Sequence, residues 1–421
     1  MSSSTEPAAG GGQLAGSTGR GGLWRQALDW GLMNVQAGSL ALTDPSGQLS
    51  TFAGTEPGPH ADITLKNWRV LRRLLTGGHV GFAEGYMAGD YETSDLVALL
   101  TWAMRNELAL TRFWSGAWLS RAAAAVQHVL RRNTPSGSKR NIQAHYDLGN
   151  DFYAHWLDRG MNYSSAMFQA SGQSLEEAQS AKLNRVVSLL APKRGARILE
   201  IGCGWGPLAE RLAQFAGCHV TGVTLSATQL SYAKQRTASL SPAPNLMLAD
   251  YRSLDDRFDG IASIEMIEAV GERYWPTYFD TIRRCLKPGG NAVLQAITID
   301  ETYYSAYRNH PDFIQKHIFP GGMLPTLTIL RQQIATAGLA LCHTEHFGMS
   351  YAQTLVEWRE RFWAALPQLR ALGFDDAFCR KWDYYFAYCE TGFRLGTLNV
   401  SLLQIAGLQS VLPHQAAAGP A

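Results

Sequence analysis

The residues best suited to chemistry in this chain are an acid and three glycines at alternate positions. Glu200 follows two apolar residues, and Gly202, Gly204 and Gly206 come directly after Ile201. The apolar residues around the acid predict a buried strand, and the leucines after the glycines predict a helix. A strand, a glycine turn and a helix hold a nucleotide-sized ligand at the carboxyl edge of a parallel sheet.

The spacing of the glycines argues against a dinucleotide such as NAD. Gly206 comes one position early for the dinucleotide fingerprint, which also requires an acid about 20 residues further on. The second predicted strand ends at Thr224 and Leu225 and carries no acid there. An acid followed by alternating glycines is instead the form that methyltransferases dependent on S-adenosylmethionine (SAM) use. A turn with a purely structural role is the alternative, but that role gives the acid no purpose.

The elements that must position this turn alternate between strands and helices after residue 140. Strands are predicted at 196–201, 219–224, 246–249, 260–264 and 290–298. This alternation predicts an α/β fold, doubly wound and Rossmann-like, as in SAM-dependent methyltransferases. Residues 301–347 have the pattern of an insertion, and aromatic-rich helices are predicted from 351 to about 409.

Composition divides the chain into five parts. We predict a disordered tail at 1–22, an N-terminal accessory domain at 23–132, a linker at 133–140, a catalytic domain at 141–410 and a loose tail at 411–421. Within the accessory domain, alternating residues predict strands at 39–43 and 62–65. Helices are predicted at 67–76 and 113–132, with a turn and a helix between 82 and 102.

The bulk properties exclude several classes of protein. The chain has 421 residues, is 46% hydrophobic and carries a formal net charge of +2, which gives no case for nucleic acid as a partner. No apolar run reaches the roughly 18–20 residues that a membrane-spanning helix needs. The six cysteines lack CxxC spacing, so we predict free thiols and no metal or disulfide set. These features predict a cytoplasmic enzyme.

Several motifs together make the chain resemble the cyclopropane-fatty-acyl-phospholipid synthase family, which includes the mycolic acid cyclopropane synthases. The resemblance covers about two thirds of the chain, and the N-terminal portion looks like the accessory domain of the phospholipid-acting members. The matching segments are AHYDLGN at 144–150, MNYSSA at 161–166, LEIGCGWG at 199–206, GVTLS at 222–226, DYR at 250–252, EMIEAVG at 265–271, 318–325 and SYAQTL at 350–355.

The resemblance implies a SAM site built from eight residues. Tyr163 and Ser164 would contact the methionine end, with Gly202 and Gly204 passing close to it. Thr224 and Gln229 would bind the ribose in place of the missing acid. The set is completed by Tyr251 beside the adenine and by Glu200 before the glycines.

The resemblance also implies the reaction, in which SAM methylates a cis double bond in a lipid chain and a bound bicarbonate removes a proton. Glu268, Ile297 and Tyr351 match the family's bicarbonate ligands. Ser165 stands where the family has Cys, and Gln295 where it has His. Serine and glutamine can still donate hydrogen bonds to an anion. The alternatives are that Glu268 caps a helix and that the two neutral residues only satisfy backbone groups.

These two substitutions leave the product open. A base beside the cation closes a cyclopropane ring, whereas a displaced base allows a hydride shift and gives a methyl-branched, unsaturated chain, as in methylated or furan fatty acid pathways. We expect the cyclopropane. The competing hypotheses are a small-molecule methyltransferase, and a SAM-fold protein that no longer transfers methyl groups and acts as a partner or in another oxidative step of lipid modification.

A substrate in a bilayer requires the enzyme to dock on a membrane. Basic residues at 66–73 and at 121–140 form two candidate patches for the phospholipid surface, although a solvated helix face explains either patch alone. We expect peripheral association with the inner face of the membrane and, by analogy with the family, a homodimer.

Overall fold

The N-terminal region is a small four-stranded sheet with helices packed around it. The computed structural model describes residues 20–114 and 148–407. The elements of the first range are α1 (Arg20–Leu32), β1 (Ala37–Thr43), β2 (Leu49–Ala53), β3 (Glu56–Leu65), α2 (Arg69–Met87), β4 (Tyr91–Glu92), α3 (Leu96–Arg105) and α4 (Glu107–Trp114). The strand order is β2-β1-β3-β4.

Three differences from the sequence predictions occur in this region. The first helix begins at Arg20, inside the predicted tail, and β2 was not predicted. The helix predicted at 67–76 continues through a kink at Gly78, whose φ of 56° is outside the helical region, and ends at Met87. The predicted linker, the C-terminal tail and nearly all of the helix predicted at 113–132 lie outside the described residues.

The larger region is a seven-stranded sheet with helices on both faces. Its strands are β5 (Arg197–Ile201), β6 (His219–Thr224), β7 (Asn245–Leu248), β8 (Phe258–Ile264), β9 (Leu286–Ile299), β10 (Leu339–His346) and β11 (Leu398–Gly407). Its helices are α5 (Asn150–Ala154), α6 (Leu175–Leu190), α7 (Pro207–Ala216), α8 (Ala227–Thr237), α9 (Ile267–Val270), α10 (Trp275–Cys285), α11 (Glu301–Asn309), α12 (Leu327–Thr336), α13 (Gly348–Ala364), α14 (Leu366–Ala371) and α15 (Asp376–Arg394).

The strand order β10-β11-β9-β8-β5-β6-β7 confirms the predicted doubly wound fold. Strands β5 to β9 pair in parallel, while β11 pairs antiparallel with both β9 and β10. The chain order reverses at β5, which lies between β8 and β6. The carboxyl end of β5 is therefore the switch point at which folds of this kind bind ligands.

Two predictions about the C-terminal half were wrong. The segment 301–347 is not wholly an insertion, because it includes β10, and the helices predicted to about 409 end at Arg394, before β11. Strand β11 lies between two neighbours, and its sequence LNVSLLQIAG alternates apolar and polar residues only as far as Leu402. So short an alternation, directly after a predicted helical segment, does not distinguish a strand from a helix.

Aromatic side chains link the two regions into one core. Tyr86 in α2 packs against Tyr384 in α15, with ring centroids 6.0 Å apart. In the same helix, the buried Asp383 accepts a hydrogen bond of 2.6 Å from the hydroxyl of Tyr86 in α2. No helix within 20–114 or 148–407 has the length and apolar character needed to cross a membrane. The six cysteines are free thiols, as predicted.

Candidate active site

The glycine turn leaves β5 and brings the backbone round into α7. Gly202, Gly204 and Gly206 have φ of 84°, 52° and 87°, in the left-handed region that glycine tolerates best. The amides of Gly202 and Cys203 both donate to the carbonyl oxygen of Val223, at 2.9 and 3.0 Å. These bonds fix the turn against β6, so that its open side faces the carboxyl ends of the strands.

A cleft that is partly open to solvent lies on this side of the turn. All eight residues predicted to bind the cofactor line it, and they come from four separate segments of the chain. They are Tyr163, Ser164, Glu200, Gly202, Gly204, Thr224, Gln229 and Tyr251. The structure therefore brings the whole predicted cofactor set to one place.

The residues predicted to replace the strand-two acid are in direct contact. Thr224 ends β6, and its hydroxyl donates to Gln229 Oε1 at 3.1 Å. The amide of Ser226 donates to the Thr224 hydroxyl at 3.2 Å, and the Ser226 side chain caps α8 by accepting from the amide of Gln229. Both predicted residues are buried at the cleft wall. Together they offer neutral donors and acceptors of the kind that pair with ribose hydroxyls.

Lys182 is a buried cation of the cleft that the sequence analysis did not identify. Its ammonium group donates to the Ser164 hydroxyl at 2.7 Å. Burial lowers the Lys182 pKa to about 8, against the opposing influence of nearby acids, among them Glu265 and Glu200. The spacing of Ala178, Lys182 and Val186 puts the lysine on the apolar face of α6. A single lysine on the apolar face of a helix is the feature of the sequence that could have indicated this buried cation.

Glu200 is a buried acid whose surroundings fit a cationic ligand. Burial raises its pKa to about 8, although Lys182 acts in the opposite direction. Its Oε2 atom has no hydrogen-bond partner among the residues of 20–114 and 148–407. Gly204 leaves open space where a side chain would project. An orphaned acceptor and an open backbone therefore face the same cleft, as a SAM site requires.

Glu265 is the residue around which the predicted catalytic side chains gather. It follows β8 directly. Its Oε1 atom accepts hydrogen bonds from the amide of Ser165 at 2.8 Å and from Gln295 Nε2 at 2.7 Å. Its Oε2 atom accepts one from the hydroxyl of Tyr351 at 2.7 Å. Burial raises the Glu265 pKa, and these hydrogen bonds oppose the rise. Glu265 also lines the cofactor cleft.

The register of the sheet explains why Gln295 reaches this acid. Ile264 pairs with Gln295 across β8 and β9, and the amide of Glu265 donates to the carbonyl of Gln295 at 2.8 Å. Ser165 contributes its backbone amide alone, because its hydroxyl donates to the carbonyl of Ala166 at 2.8 Å.

Glu268 and Ile297 form the second part of the predicted catalytic set. The amide of Ile297 donates to Glu268 Oε1 at 2.6 Å, and Oε2 has no partner among the described residues. Burial, followed by the negative charge of Glu265, raises the Glu268 pKa to about 8. Glu268 is therefore mostly protonated at neutral pH, and it lies in the first turn of α9.

The residues present do not fit a bound bicarbonate at the predicted position. Three donors expected to hold the anion, from Ser165, Gln295 and Tyr351, already bind the Glu265 carboxylate. A second anion there would find these three donors occupied and would lie beside the Glu265 carboxylate. The sequence analysis gave the acidic role in EMIEAVG to Glu268 and overlooked Glu265, which directly follows the strand.

Aromatic rings surround this acidic cluster. Tyr351 stacks on Phe393 with ring centroids 4.5 Å apart and meets Trp358 edge-on at 6.1 Å. Tyr163 packs against Trp358 and donates to the hydroxyl of Tyr385 at 3.3 Å. Ring faces attract cations, and such packing keeps water away from the acids.

Comparison with known proteins gives consistent results. A family model described as mycolic acid cyclopropane synthetase matches residues 134–403. The tuberculostearic acid methyltransferase UfaA1 of Mycobacterium tuberculosis is 39% identical over 341 residues, which are 79% of each chain. The cyclopropane-fatty-acyl-phospholipid synthase of Escherichia coli K12 is 36% identical over 338 residues, covering 79% of this chain and 85% of the relative.

Solved structures agree with the sequence relatives. The mycolic acid cyclopropane synthase CmaA1, complexed with S-adenosylhomocysteine (SAH) and CTAB, superposes with a TM-score of 0.60 at 29% identity, covering 63% of this chain and 97% of that one. Coclaurine N-methyltransferase, bound to SAH, has a TM-score of 0.57 at 19% identity, which shows the fold alone. The chain is a SAM-dependent methyltransferase, and it belongs to the mycolic acid cyclopropane synthetase family.

Proposed function

We propose that the enzyme methylates the cis double bond of an unsaturated phospholipid acyl chain and closes a cyclopropane ring there. The observation that carries this proposal is the position of Glu265. This partly buried carboxylate lines the SAM cleft, and its hydrogen-bond partner Tyr351 packs among aromatic rings. An apolar, water-poor site with a fixed acid suits a substrate that has no polar reacting group and passes through a cation.

The cofactor, when bound, supplies an electrophilic methyl group. The residues of this chain bind the cofactor, stabilise the developing charge and exclude water. Thr224 and Gln229 would hold the ribose hydroxyls in the cleft that Glu265 also lines. The ring faces of Tyr163, Tyr351 and Trp358 attract the positive charge that develops on the acyl chain. Their packing excludes water, which would otherwise trap the cation as an alcohol.

A methyl-branched, unsaturated product is the second candidate, and the anchoring of Glu265 favours it. Three hydrogen bonds hold this carboxylate in one position, so it cannot follow a charge that migrates along the acyl chain. If the new methyl group lies out of its reach, a hydride shift precedes proton loss. The names of the relatives span both a cyclopropane synthase and a tuberculostearic acid methyltransferase.

Isotope labelling tests both candidates. The gene is expressed in a bacterial host that lacks its own cyclopropane synthase and is fed methyl-labelled methionine, and the fatty acid esters are analysed by mass spectrometry. We expect label in a cyclopropane ring. Label in an unringed, branched chain would select the second candidate. Label absent from every acyl chain would refute lipid methylation, and the small-molecule hypothesis would then take precedence.

We also propose peripheral docking on the inner face of the membrane. The patch at 66–73 is partly neutralised, because Lys66 pairs with Glu92, and Arg69 and Arg73 both pair with Asp90. Arg72 is exposed on the same helix. The second patch, at 121–140, lies outside the described residues. Flotation with anionic vesicles tests the first patch, since Arg72→Glu should weaken binding severalfold; unchanged binding would remove this patch from the proposal.

A homodimer remains a proposal by analogy with the family. Sedimentation of the purified protein tests it directly.

A further inference from the structure

Glu265 adopts a backbone conformation that its residue type disfavours. Its φ is 47°, in the left-handed region where a side chain with a Cβ costs free energy and glycine does not. Residues in such conformations persist when their surroundings fix them, and they concentrate at functional sites. Keeping a glutamate at this position therefore indicates that its side chain has a function.

The hydrogen bonds of Glu265 are those of an ionised carboxylate that can still accept a proton. Two donors bind Oε1, while Oε2 receives the hydroxyl of Tyr351. An arrangement that only buried an acid would pair it with a cation, but the nearby Lys182 donates its hydrogen bond to Ser164. Neutral donors stabilise the ionised form while leaving it basic.

Glu268 is less suited to accept a proton. A single amide donates to it, and burial together with the charge of Glu265 favours its protonated form. Of the two acids, Glu265 alone lines the cofactor cleft.

We propose that the Glu265 carboxylate is the proton acceptor of the reaction and takes the place of a free bicarbonate ion. This inference rests on the proposed lipid methylation. The methyl carbon breaks its bond to sulfur, leaving neutral SAH, and bonds to one alkene carbon, so the other alkene carbon becomes cationic. Glu265 Oε2 then takes a proton from the transferred carbon. The electron pair of that C–H bond forms the second ring bond, and the protonated Glu265 returns its proton to water after product release.

Bicarbonate dependence tests this assignment. Purified enzyme is assayed with vesicles of unsaturated phospholipid and labelled SAM, in buffer freed of carbon dioxide, with and without added bicarbonate. We expect the wild-type rate to be the same in both buffers. Glu265→Gly should lose about 100-fold in bicarbonate-free buffer, the usual contribution of a general base.

The glycine variant provides a second, sharper expectation. Glycine suits the local φ, so the fold is retained, and removal of the carboxylate frees three donors and a space. Added bicarbonate should therefore restore part of the activity of Glu265→Gly. It should not restore Glu265→Gln, whose amide still fills that space. Glu272→Gln, which alters an exposed ion pair with Arg308, serves as the matched control and should retain the wild-type rate.

A binding measurement separates this inference from the proposed function. Carbon-13 NMR of labelled bicarbonate should show line broadening with Glu265→Gly and none with the wild type, while calorimetry shows that both bind SAH. If the wild type labels no acyl chain, the proposed function fails while this measurement still tests the location of the anion. A wild type that binds bicarbonate and depends on it, or a glycine variant that keeps its full rate without it, would overturn the assignment.

Discussion

Three acids and one lysine lie in or beside the cleft. Glu200 and Lys182 are buried, whereas Glu265 and Glu268 are partly buried. Burial raises the pKa of each acid, because the low dielectric disfavours the charged form. A cationic ligand reverses this effect when it enters the cleft. The site is thus matched to a charge that arrives with the cofactor.

Proton release on SAM binding follows from this arrangement. Glu200 has a pKa of about 8 and is mostly protonated at pH 7; a cation that binds nearby lowers that pKa, and the proton leaves. SAM affinity should accordingly increase from pH 6 to pH 8. Calorimetry at pH 7 in buffers of different ionisation enthalpy measures the release. Glu200→Gln should reduce it, and equal release from variant and wild type would contradict the argument.

The hydroxyl of Tyr351 should control the pH dependence of the rate. It donates to Glu265 and so holds that pKa down; Tyr351→Phe removes the donor, and the pKa of Glu265 rises. The base is then ionised only at higher pH, so the acidic limb of the kcat/KM profile should move upward by about one pH unit. Tyr303→Phe, at an exposed position, is the control. An unmoved limb would separate Tyr351 from the ionisation of Glu265.

At the scale of elements, two glycines of the turn between β5 and α7 should affect different properties, Gly206 the stability of the fold and Gly204 the binding of the cofactor. A Cβ added at Gly206 would lie 3.0 Å from the Cβ of Ala233 in α8, whereas one added at Gly204 would meet open space. Both glycines have positive φ, so each alanine costs about 1–2 kcal/mol in backbone energy. Of the two substitutions, only Gly206→Ala adds a close contact, with Ala233.

Gly206→Ala should therefore lower the free energy of unfolding by about 1–2 kcal/mol more than Gly204→Ala does. Gly204→Ala should instead weaken SAH binding about tenfold, because its methyl group enters the cleft that Gly204 lines. Urea unfolding and calorimetry measure the two effects. Equal stabilities together with equal affinities would show that the two glycines are equivalent.

Sequence reasoning succeeded where an element has a strong local signal. Strands β5 to β9 each combine an apolar run with a turn residue or a cap, and their positions were predicted to within a few residues. Strand β11 had a weaker signal, because its alternation of apolar and polar residues stops at Leu402. In the site, too, features with a local sequence signal were predicted and features that depend on distant segments were not. The glycine turn was readable in the sequence, but the pairing of Glu265 with Ser165, Gln295 and Tyr351 joins distant segments and depends on sheet register.

At the scale of the whole molecule, polar contacts tie the N-terminal region to the catalytic region. Glu84 in α2 accepts from Lys316 at 2.7 Å, and His317 Nε2 lies 3.0 Å from the same Oε1 atom. These contacts, with the hydrogen bond from His317 first, lower the Glu84 pKa from 4.5 to about 2. The contribution of Glu84 to stability is present above pH 4.5 and is lost as the pH falls through about 2.

Glu84→Gln should consequently reduce the free energy of unfolding at pH 7 by about 1–2 kcal/mol, allowing for partial exposure of the pair. The difference from the wild type should shrink as the pH falls from 4.5 toward 2. Urea unfolding across this range measures it. A difference independent of pH would show that the ion pair does not couple the two regions. Glu272→Gln, within the catalytic region, tests for a general effect of losing an acid.

The order of strands in the large sheet has a consequence for biosynthesis. Among the described strands, β11 is synthesised last, and it lies inside the sheet between β9 and β10. Until residue 407 has been synthesised, β10 lacks the strand with which it pairs and β9 exposes an unsatisfied edge. This side of the sheet can therefore close only after β11 has been synthesised. A message truncated before residue 398 would yield an aggregation-prone product even though it encodes every residue that lines the cofactor cleft.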